Sequence, residues 1–511
     1  MTIPQYVMKD FGKYGNRTAM VDSGTGRTYT FTQLQELVHQ CATGLTIDGF
    51  QQGDVCAIQL PNSPEFFITL QAVLSIGGIV STVNPLYTED ELLNQLKDSS
   101  AKSIVTSQAS AEGARSAAIK TKIKHVYIIG GADGCKPFSS LLDNDGSSFP
   151  KSIDINPKAD VALLSYSSGT TGLPKGVMVS HFAFIANLIQ MSTPGLVYHT
   201  EEDSVLAVLP FFHIYGNLIT LNLTLSQGAK CVAMSTFDAE QSLKCIQEHK
   251  ITSWPIVPPI ALFLAKHPVV DCYDVSSLNN ILIGAAPLSE DLADAVIKRI
   301  NRKLIVRQGY GLTENIVTHI CYGNDPTKWT LGSSGILIPN TEAKITNTEN
   351  GSTLGPGETG EICLRGPQQM LGYLGNEKAT RDTIDKDKWV HTGDIGYIDE
   401  QEQLHVVDRM KELIKYKAYQ VAPAELEALL ISHPGIKDAG VIGVPHEEAG
   451  EVPKAFVVRS NTNILEKEVF DFIEGKCAPY KKLRGGIQFV DEIPKSQSGK
   501  ILRRILKEAK L

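Results

Sequence analysis

The nine cysteines form no CxxC pair and no Cys/His grouping at metal-ligand spacing. That leaves no expectation of zinc, and the odd, scattered usage excludes a disulfide framework. It is the pattern of a reducing compartment, where thiols serve as small apolar fillers. No apolar run opens the chain between Met1 and Tyr14, so no secretory leader is expected. Two stretches lack Lys, Arg, Asp and Glu: Phe66 to Thr88 and Ser204 to Ala229. Thr69, Gln71, Ser75, Gly77 and Gly78 dilute the first, and Pro210, His213, Gly216 and Asn217 the second. Both read as buried helices and strands rather than membrane spans. Excess positive charge is missing as well. A net charge of −8 argues against a nucleic-acid partner, which demands clustered Lys and Arg. A small anionic ligand can still be held by a few local cations. Internal repeats and low-complexity tracts are absent.

What is present is a long chain with a βαβ rhythm. At 511 residues it exceeds one ordinary core, so more than one domain is expected. Asp54 to Leu60 reads as a buried strand, Ser63 to Ser75 as a helix, and Ile79 to Val83 as a strand. Glu89 to Asp98 reads as a helix and Ser103 to Thr106 as a strand. That alternation implies a mainly parallel sheet covered by helices. Gly131 to Ser148, rich in Gly, Asp and Ser, reads as a surface loop. The rhythm repeats from Asp160 to about Arg307. After Tyr310, short strands with turn signals such as Thr353 to Gly360 suggest a small β-barrel-like unit. Past Arg409 a helix over Ala424 to His433 and a strand over Ala439 to Val444 mark a separate α+β segment. The expected fold is α/β: a large N-terminal domain over 1–408, with two βαβ-type subdomains and the barrel-like unit, then a small mobile α+β domain over 409–511. The joint lies in the charged stretch Asp408-Arg409-Met410-Lys411.

The strongest chemical signal is Ser167-Ser168-Gly169-Thr170-Thr171-Gly172-Leu173-Pro174-Lys175-Gly176, directly after the apolar strand Val161 to Leu164. Glycines let a backbone approach phosphates, hydroxyls donate to phosphate oxygens, and the lysine supplies a cation. Walker A spacing is absent, so this is a different phosphate loop. The loop resembles the signature of the adenylate-forming superfamily, which contains acyl-CoA synthetases, 4-coumarate–CoA ligases, luciferases and peptide-synthetase adenylation domains. The resemblance continues in order. Tyr310-Gly311-Leu312-Thr313-Glu314 is similar to that family's Tyr-Gly-x-Thr-Glu motif. This implies that Tyr310 stacks near adenine, Thr313 contacts the AMP phosphate and Glu314 holds Mg²⁺. Gln308 and Gly309, just before it, join the implied nucleotide contacts, as do Ser167, Ser168, Gly169, Thr170, Thr171, Gly172 and Lys175.

Trp389-Val390-His391-Thr392-Gly393-Asp394 resembles the ribose-binding stretch, with Asp394 accepting from both hydroxyls and Arg409 also reaching the ribose. Lys411 matches the family's hinge. Pro494-Lys495-Ser496-Gln497-Ser498-Gly499-Lys500 resembles the motif that carries the catalytic lysine, here Lys500. A carboxylate attacking a polyanion needs such a cation where charge develops. His213, in Pro210 to Gly216, matches the family histidine that guards the acyl pocket. Tyr215 would line that pocket with Ile219, Ala286, Gly309 and Val317, and Gly284-Ala285-Ala286-Pro287 resembles the strand end forming the adenine slot and pocket floor. Plain core packing is the alternative for Ile219 and Val317.

The resemblance covers essentially the whole chain, with Asp408 to Pro423 placing it nearest 4-coumarate–CoA ligases, peroxisomal acyl-CoA synthetases and luciferases. It implies activation of a fatty or aryl-acrylic acid by ATP and Mg²⁺, release of pyrophosphate, and transfer of the acyl group to CoA. Two positions depart from the pattern. Lys415-Tyr416-Lys417-Ala418 stands where CoA-forming relatives read Lys-Tyr-Lys-Gly, at the tunnel through which Lys415, Lys417 and the next residue meet pantetheine. Thr236 stands where several carry a basic residue. Both fall on the second half-reaction. A luciferase-type oxygenase and a non-catalytic adenylate binder are the other readings. The ending Ala509-Lys510-Leu511 is close to a Ser-Lys-Leu peroxisomal address and implies an import receptor as partner.

Overall fold

The computed structural model describes all residues except 122, 132, 151–152, 168–173, 198, 287, 301–302, 324–329, 418, 461–463, 474–475, 497–498 and 509–511. Two large sheets, a small antiparallel sheet and a C-terminal sheet make up the α/β architecture. The first large sheet has a parallel centre, Val55–Gln59, Ile79–Thr82, Ser103–Ser107 and His125–Ile129, extended on one side by the antiparallel pair Val161–Ser167 and Lys175–Ser180.

Local signals explain the helices that cover it. Helix Pro64–Ser75 starts with the Ser63 hydroxyl accepting from the Phe66 N–H and with proline at its first position. Nearly all of its residues are buried, which accounts for the charge-free run from Phe66 without any membrane. Helix Glu89–Asp98 opens with a Thr88/Glu91 capping box and three acidic residues, and buries Leu92, Gln95 and Leu96 at helical spacing. No described helix is long and apolar enough to cross a membrane.

One sequence expectation fails here. The 131–148 segment is not a simple surface loop. It carries a short strand, Lys136–Pro137, and a 3₁₀ turn, Phe138–Leu141, whose Phe138 and Leu141 enter the core. A Cβ on Gly44 would lie 2.3 Å from the Leu141 carbonyl, so helix Phe31–Ile47 and this turn touch backbone to backbone. Two apolar residues in a polar tract suffice for that docking and leave no periodic signal.

The second large sheet aligns parallel strands Thr18–Asp22, Lys230–Ala233, Ser204–Ala207, Ser253–Ile256, Asn280–Ile283 and Ile305–Leu312. The last turns back antiparallel through Ile316–Ile320. One core cluster joins residues of both large sheets, including Met20, Ile58, Leu163, Val177, Ala207 and Cys231. The barrel-like unit takes the form of a four-stranded antiparallel sheet, Glu342–Thr346, Gly360–Arg365, Val390–Ile398 and Leu404–Arg409.

The C-terminal sheet has its own core, with Ile414, Leu426, Val441, Ala455 and Val457 among its buried members. It pairs Tyr419–Val421, Ile414–Tyr416, Gly450–Arg459 and Ile436–His446, and adds Ile487–Phe489 alongside. This small domain rests on the large one. The Lys266 ammonium donates to the Ile431 carbonyl at 3.1 Å, and a Cβ on Gly499 would lie 3.0 Å from Val257. All nine cysteines are free thiols.

Candidate active site

Ligands of open α/β sheets gather where the parallel strands end. Three segments emerge there from the second large sheet. The first follows Ser204–Ala207 and carries His213 and Tyr215. Buried Asn62 pins it: its amide donates to the Ala207 and Leu209 carbonyls and its oxygen accepts from the Phe211 N–H. Gly216 then starts a π-helical stretch, Gly216–Leu223, where a Cβ would collide with the Pro210 carbonyl at 2.1 Å. The Tyr215 N–H donates to His213 Nδ1 at 3.3 Å, so the proton of the neutral ring sits on Nε2. Burial, then the Lys500 cation, push the His213 imidazole down to about 4. It is therefore a neutral donor near pH 7.

The second segment follows Asn280–Ile283. Gly284 is packed against the Tyr215 ring, where a Cβ would sit 2.9 Å from Cε1, and the Tyr215 hydroxyl donates to the Leu282 carbonyl at 3.0 Å. Ala285 adopts a positive φ of 71°, and half-buried Ala286 follows. A Gly284→Ala change must push the Tyr215 ring aside, at the roughly 1–3 kcal/mol that overpacking costs. The expected outcome is about a tenfold rise in KM for the acid with KM for ATP unchanged, read by steady-state kinetics.

The third segment is the end of Ile305–Leu312. Its Glu314 is presented by a tight turn that Ile316 closes at a φ of 40°, a rare conformation for a β-branched residue. Gly311 makes this possible, since a Cβ there would lie 2.0 Å from the Ile316 carbonyl. Glu314 Oε1 accepts from the Tyr373 hydroxyl at 2.8 Å and from the Ser167 hydroxyl at 3.1 Å. The Lys175 ammonium lies over the Tyr373 ring, 4.5 Å from its centre. Thus of the described ends of the phosphate loop Ser167 meets Glu314 and Lys175 meets its partner Tyr373, while Ser168, Gly169, Thr170, Thr171 and Gly172 lie outside the described residues. Thr313 sits half-buried in the same turn.

Gln308 has a different occupation. Its amide oxygen accepts from the Leu288 N–H at 2.7 Å and its nitrogen reaches the Gly332 carbonyl and Ser334 hydroxyl, so the side chain braces the sheet. Ile219 is fully buried in the large core, alongside Tyr215 and Val317. Val317 is held by Asn187, which bonds both its N–H and its carbonyl. Gly309 lies against the His319 carbonyl.

Asp394 comes from the small sheet, directly opposite Arg409 in the strand register. Its Oδ2 accepts from the Tyr310 hydroxyl at 2.6 Å, and Arg409 Nε lies 3.4 Å from Oδ1. Burial pushes the Asp394 carboxyl up, against the pull of Arg409, Tyr310 and Lys500. Burial and the Asp394 carboxylate raise the Tyr310 phenol far above its ordinary value, so it stays a donor.

Lys500 completes the site from the C-terminal domain. Ser496 holds its loop: the Lys500 N–H donates to the Ser496 hydroxyl at 3.2 Å, and Gly499 turns at a φ of 78°. Burial, then the Arg409 guanidinium, lower its ammonium to about 8, against the opposing pull of Glu412, Asp394 and Glu314. Lys500, Arg409, Asp394, Glu314 and His213 therefore share one electrostatic neighbourhood, although they come from five separate stretches of chain. Lys415 and Lys417 are exposed on and beside strand Ile414–Tyr416, Lys411 and Thr236 are exposed, and Ala418 lies outside the described residues.

Sequence reading missed Tyr373. Tyr373 stands in the short strand Gly372–Tyr373, paired with Lys175–Ser180, and only that pairing carries its hydroxyl to Glu314. Tyr373→Phe deletes one hydrogen bond to a charged acceptor, a loss of roughly 1.5–3 kcal/mol. Nucleotide KM is expected to rise by about tenfold, with a fall of a few degrees in melting temperature because the bond also exists without nucleotide.

Two carboxylates, Asp394 and Glu314, and the Lys500 ammonium thus converge beyond the ends of the parallel strands. Residues 8–374 match the AMP-binding enzyme family and residues 425–500 match its AMP-binding enzyme C-terminal domain. The chain belongs to that family. Among its relatives, 4-coumarate–CoA ligase 1 of Petroselinum crispum is 42% identical, covering 98% of this chain and 93% of its own. 4-Coumarate–CoA ligase 2 of Nicotiana tabacum is 43% identical over 99% and 94%. Among solved structures, the anthranilate CoA ligase AuaEII in complex with anthranoyl-AMP superposes with a TM-score of 0.90 at 25% identity, over 100% of this chain and 97% of that one. ATP-bound MatB from Rhodopseudomonas palustris gives 0.89 at 26% identity over 99% of both.

Proposed function

We propose that this chain is an AMP-forming carboxylate–CoA ligase, with its boundary between large and small domains at 408/409. The observation that carries the reading is the placement of Lys500, from the C-terminal motif, beside Asp394, Arg409 and Glu314. In the first half-reaction a carboxylate oxygen bonds to the α-phosphorus of ATP, the bond to the bridging oxygen breaks, and pyrophosphate leaves. Asp394 and Arg409 hold the ribose, Tyr310 packs at the base, and the phosphate loop with Lys175 holds the triphosphate. The Nε2–H of neutral His213 orients the incoming carboxylate, and Lys500 meets the charge that develops between the two anions. Glu314, an oxygen donor fixed by two hydroxyls, suits a hard cation, and Mg²⁺ bound there would neutralise phosphate charge.

In the second half-reaction the sulfur of CoA attacks the acyl carbonyl and AMP leaves. A turn of the C-terminal domain at Lys411 would withdraw Lys500 and present Lys415, Lys417 and Ala418 to the pantetheine arm. Removing the methyl in Ala418→Gly is expected to raise the thioester rate while pyrophosphate release stays constant.

The relatives' names support an aryl-acrylic acid as substrate, and a fatty acid remains the second class within the same pocket of Tyr215, Ala286, Gly309 and Val317. An Ala509-Lys510-Leu511 address, outside the described residues, would take the enzyme to peroxisomes, where fatty acyl thioesters are degraded. Binding of an import receptor to the full chain and to a chain lacking those three residues tests that part. The function itself is tested with a panel of aromatic and fatty acids, scoring pyrophosphate, CoA thioester and light. Pyrophosphate and thioester together are the expected result. Adenylation without thioester at saturating CoA overturns the ligase, and light emission favours an oxygenase.

A further inference from the structure

Outside the adenylation residues, three metal-ligating side chains of different kinds converge on the small antiparallel sheet. Glu361 and Cys363 lie two residues apart on one face of strand Gly360–Arg365, and the register sets His391 opposite Cys363. His391 Nδ1 lies 3.5 Å from Cys363 Sγ and 2.9 Å from Glu361 Oε2, and the three donor atoms fall within 4.8 Å of one another. We propose that Glu361, Cys363 and His391 bind a borderline-soft divalent cation, with Zn²⁺ the best match.

The geometry is close to what that ion needs. Tetrahedral coordination at ordinary Zn–S and Zn–N lengths separates sulfur and nitrogen by about 3.5 Å, and nitrogen and carboxylate oxygen by about 3.3 Å. The sulfur–nitrogen distance already fits, and the Glu361 carboxylate, now hydrogen-bonded to Nδ1 at 2.9 Å, has to swing off that nitrogen to take its own corner of the tetrahedron. Cys363 is buried, whereas the His391 side chain keeps 35% of its exposure, so the ion has a route in and a fourth position open to water. On the far side of the ring, Asp385 Oδ2 lies 3.7 Å from His391 Nε2, the outer carboxylate that orients many ligating histidines. Glu361 and Asp385 make the surroundings anionic, with Lys344 the opposing cation that also acts on Cys363. Binding shifts the imidazole proton from Nδ1 to Nε2, toward Asp385, and the thiol proton leaves to solvent.

The site also touches the nucleotide end of the enzyme. Glu361 Oε1 accepts from the Gly393 N–H at 3.1 Å, immediately before Asp394. A cation that draws the carboxylate away loosens the turn that aims Asp394. This coupling rests on the ribose role of Asp394, whereas the binding site does not.

Titration of the full-length protein with Co²⁺ tests the site directly. The expected result is a thiolate-to-cobalt absorption band that saturates at one equivalent and is displaced by Zn²⁺. Cys363→Ser should abolish the band, and Asp385→Asn should keep it while weakening binding about tenfold. His391→Gln, on the more open side of the site, should weaken Co²⁺ binding at least as much without disturbing the fold. A missing band, a band that survives Cys363→Ser, or unchanged affinity in His391→Gln overturns the site. Zn²⁺ should raise KM for ATP in the wild type and not in Cys363→Ser. An unchanged KM with the band saturated overturns the coupling alone.

Discussion

Lys500→Ala is expected to slow acid adenylation by about 10³-fold, the scale reached when a preorganised charge is removed from a developing anionic transition state. Consumption of supplied acyl-AMP with CoA should fall far less, because the second half-reaction forms its bond at the carbonyl carbon and not at phosphorus. Pyrophosphate release and thioester formation, measured separately, decide the matter. Equal losses in both would contradict a Lys500 role confined to adenylation. The pH profile gives an independent reading. Burial and Arg409 hold the Lys500 ammonium down to about 8 in the free enzyme, so the charged form predominates at neutral pH and is lost as pH rises through that value. The kcat/KM for ATP should therefore decline above about pH 8, and Lys500→Arg should move the decline upward because a guanidinium keeps its proton.

Asp394→Asn carries the second large effect. The carboxylate takes a hydrogen bond from Tyr310, faces Arg409, and has burial against it. An amide keeps the shape but leaves the half-buried arginine without its counter-charge and weakens the acceptors available to the ribose. Hydrogen bonds to charged groups are each worth roughly 1.5–3 kcal/mol, so about 10²-fold in KM for ATP is expected. The acid KM should stay near its wild-type value. A loss confined to kcat would remove Asp394 from ground-state nucleotide binding.

Much of this enzyme was readable before any coordinates. The helices over Pro64–Ser75 and Glu89–Asp98 announce themselves through Ser63 and Thr88 caps followed by their apolar or amphipathic runs. The Tyr310 to Glu314 stretch was visible because glycine is required where backbone crowds backbone, as Gly311 against Ile316 demonstrates. Such constraints act within a few residues and leave a mark in the local sequence. The 138–141 turn did not, since two apolar residues in a polar tract carry no period.

Sequence alone thus determined the chemistry-bearing stretches and the family they belong to, since local backbone geometry restricts which residues can stand there. Only the tertiary structure decided which of them act together. Strand pairing brought Asp394 opposite Arg409, carried Tyr373 to Glu314, and set Cys363 facing His391. Domain packing delivered Lys500 to the same place. Those neighbours lie from about fifteen to nearly three hundred residues apart in the chain, and proximity across such distances is fixed by register and burial, which no short window of sequence contains.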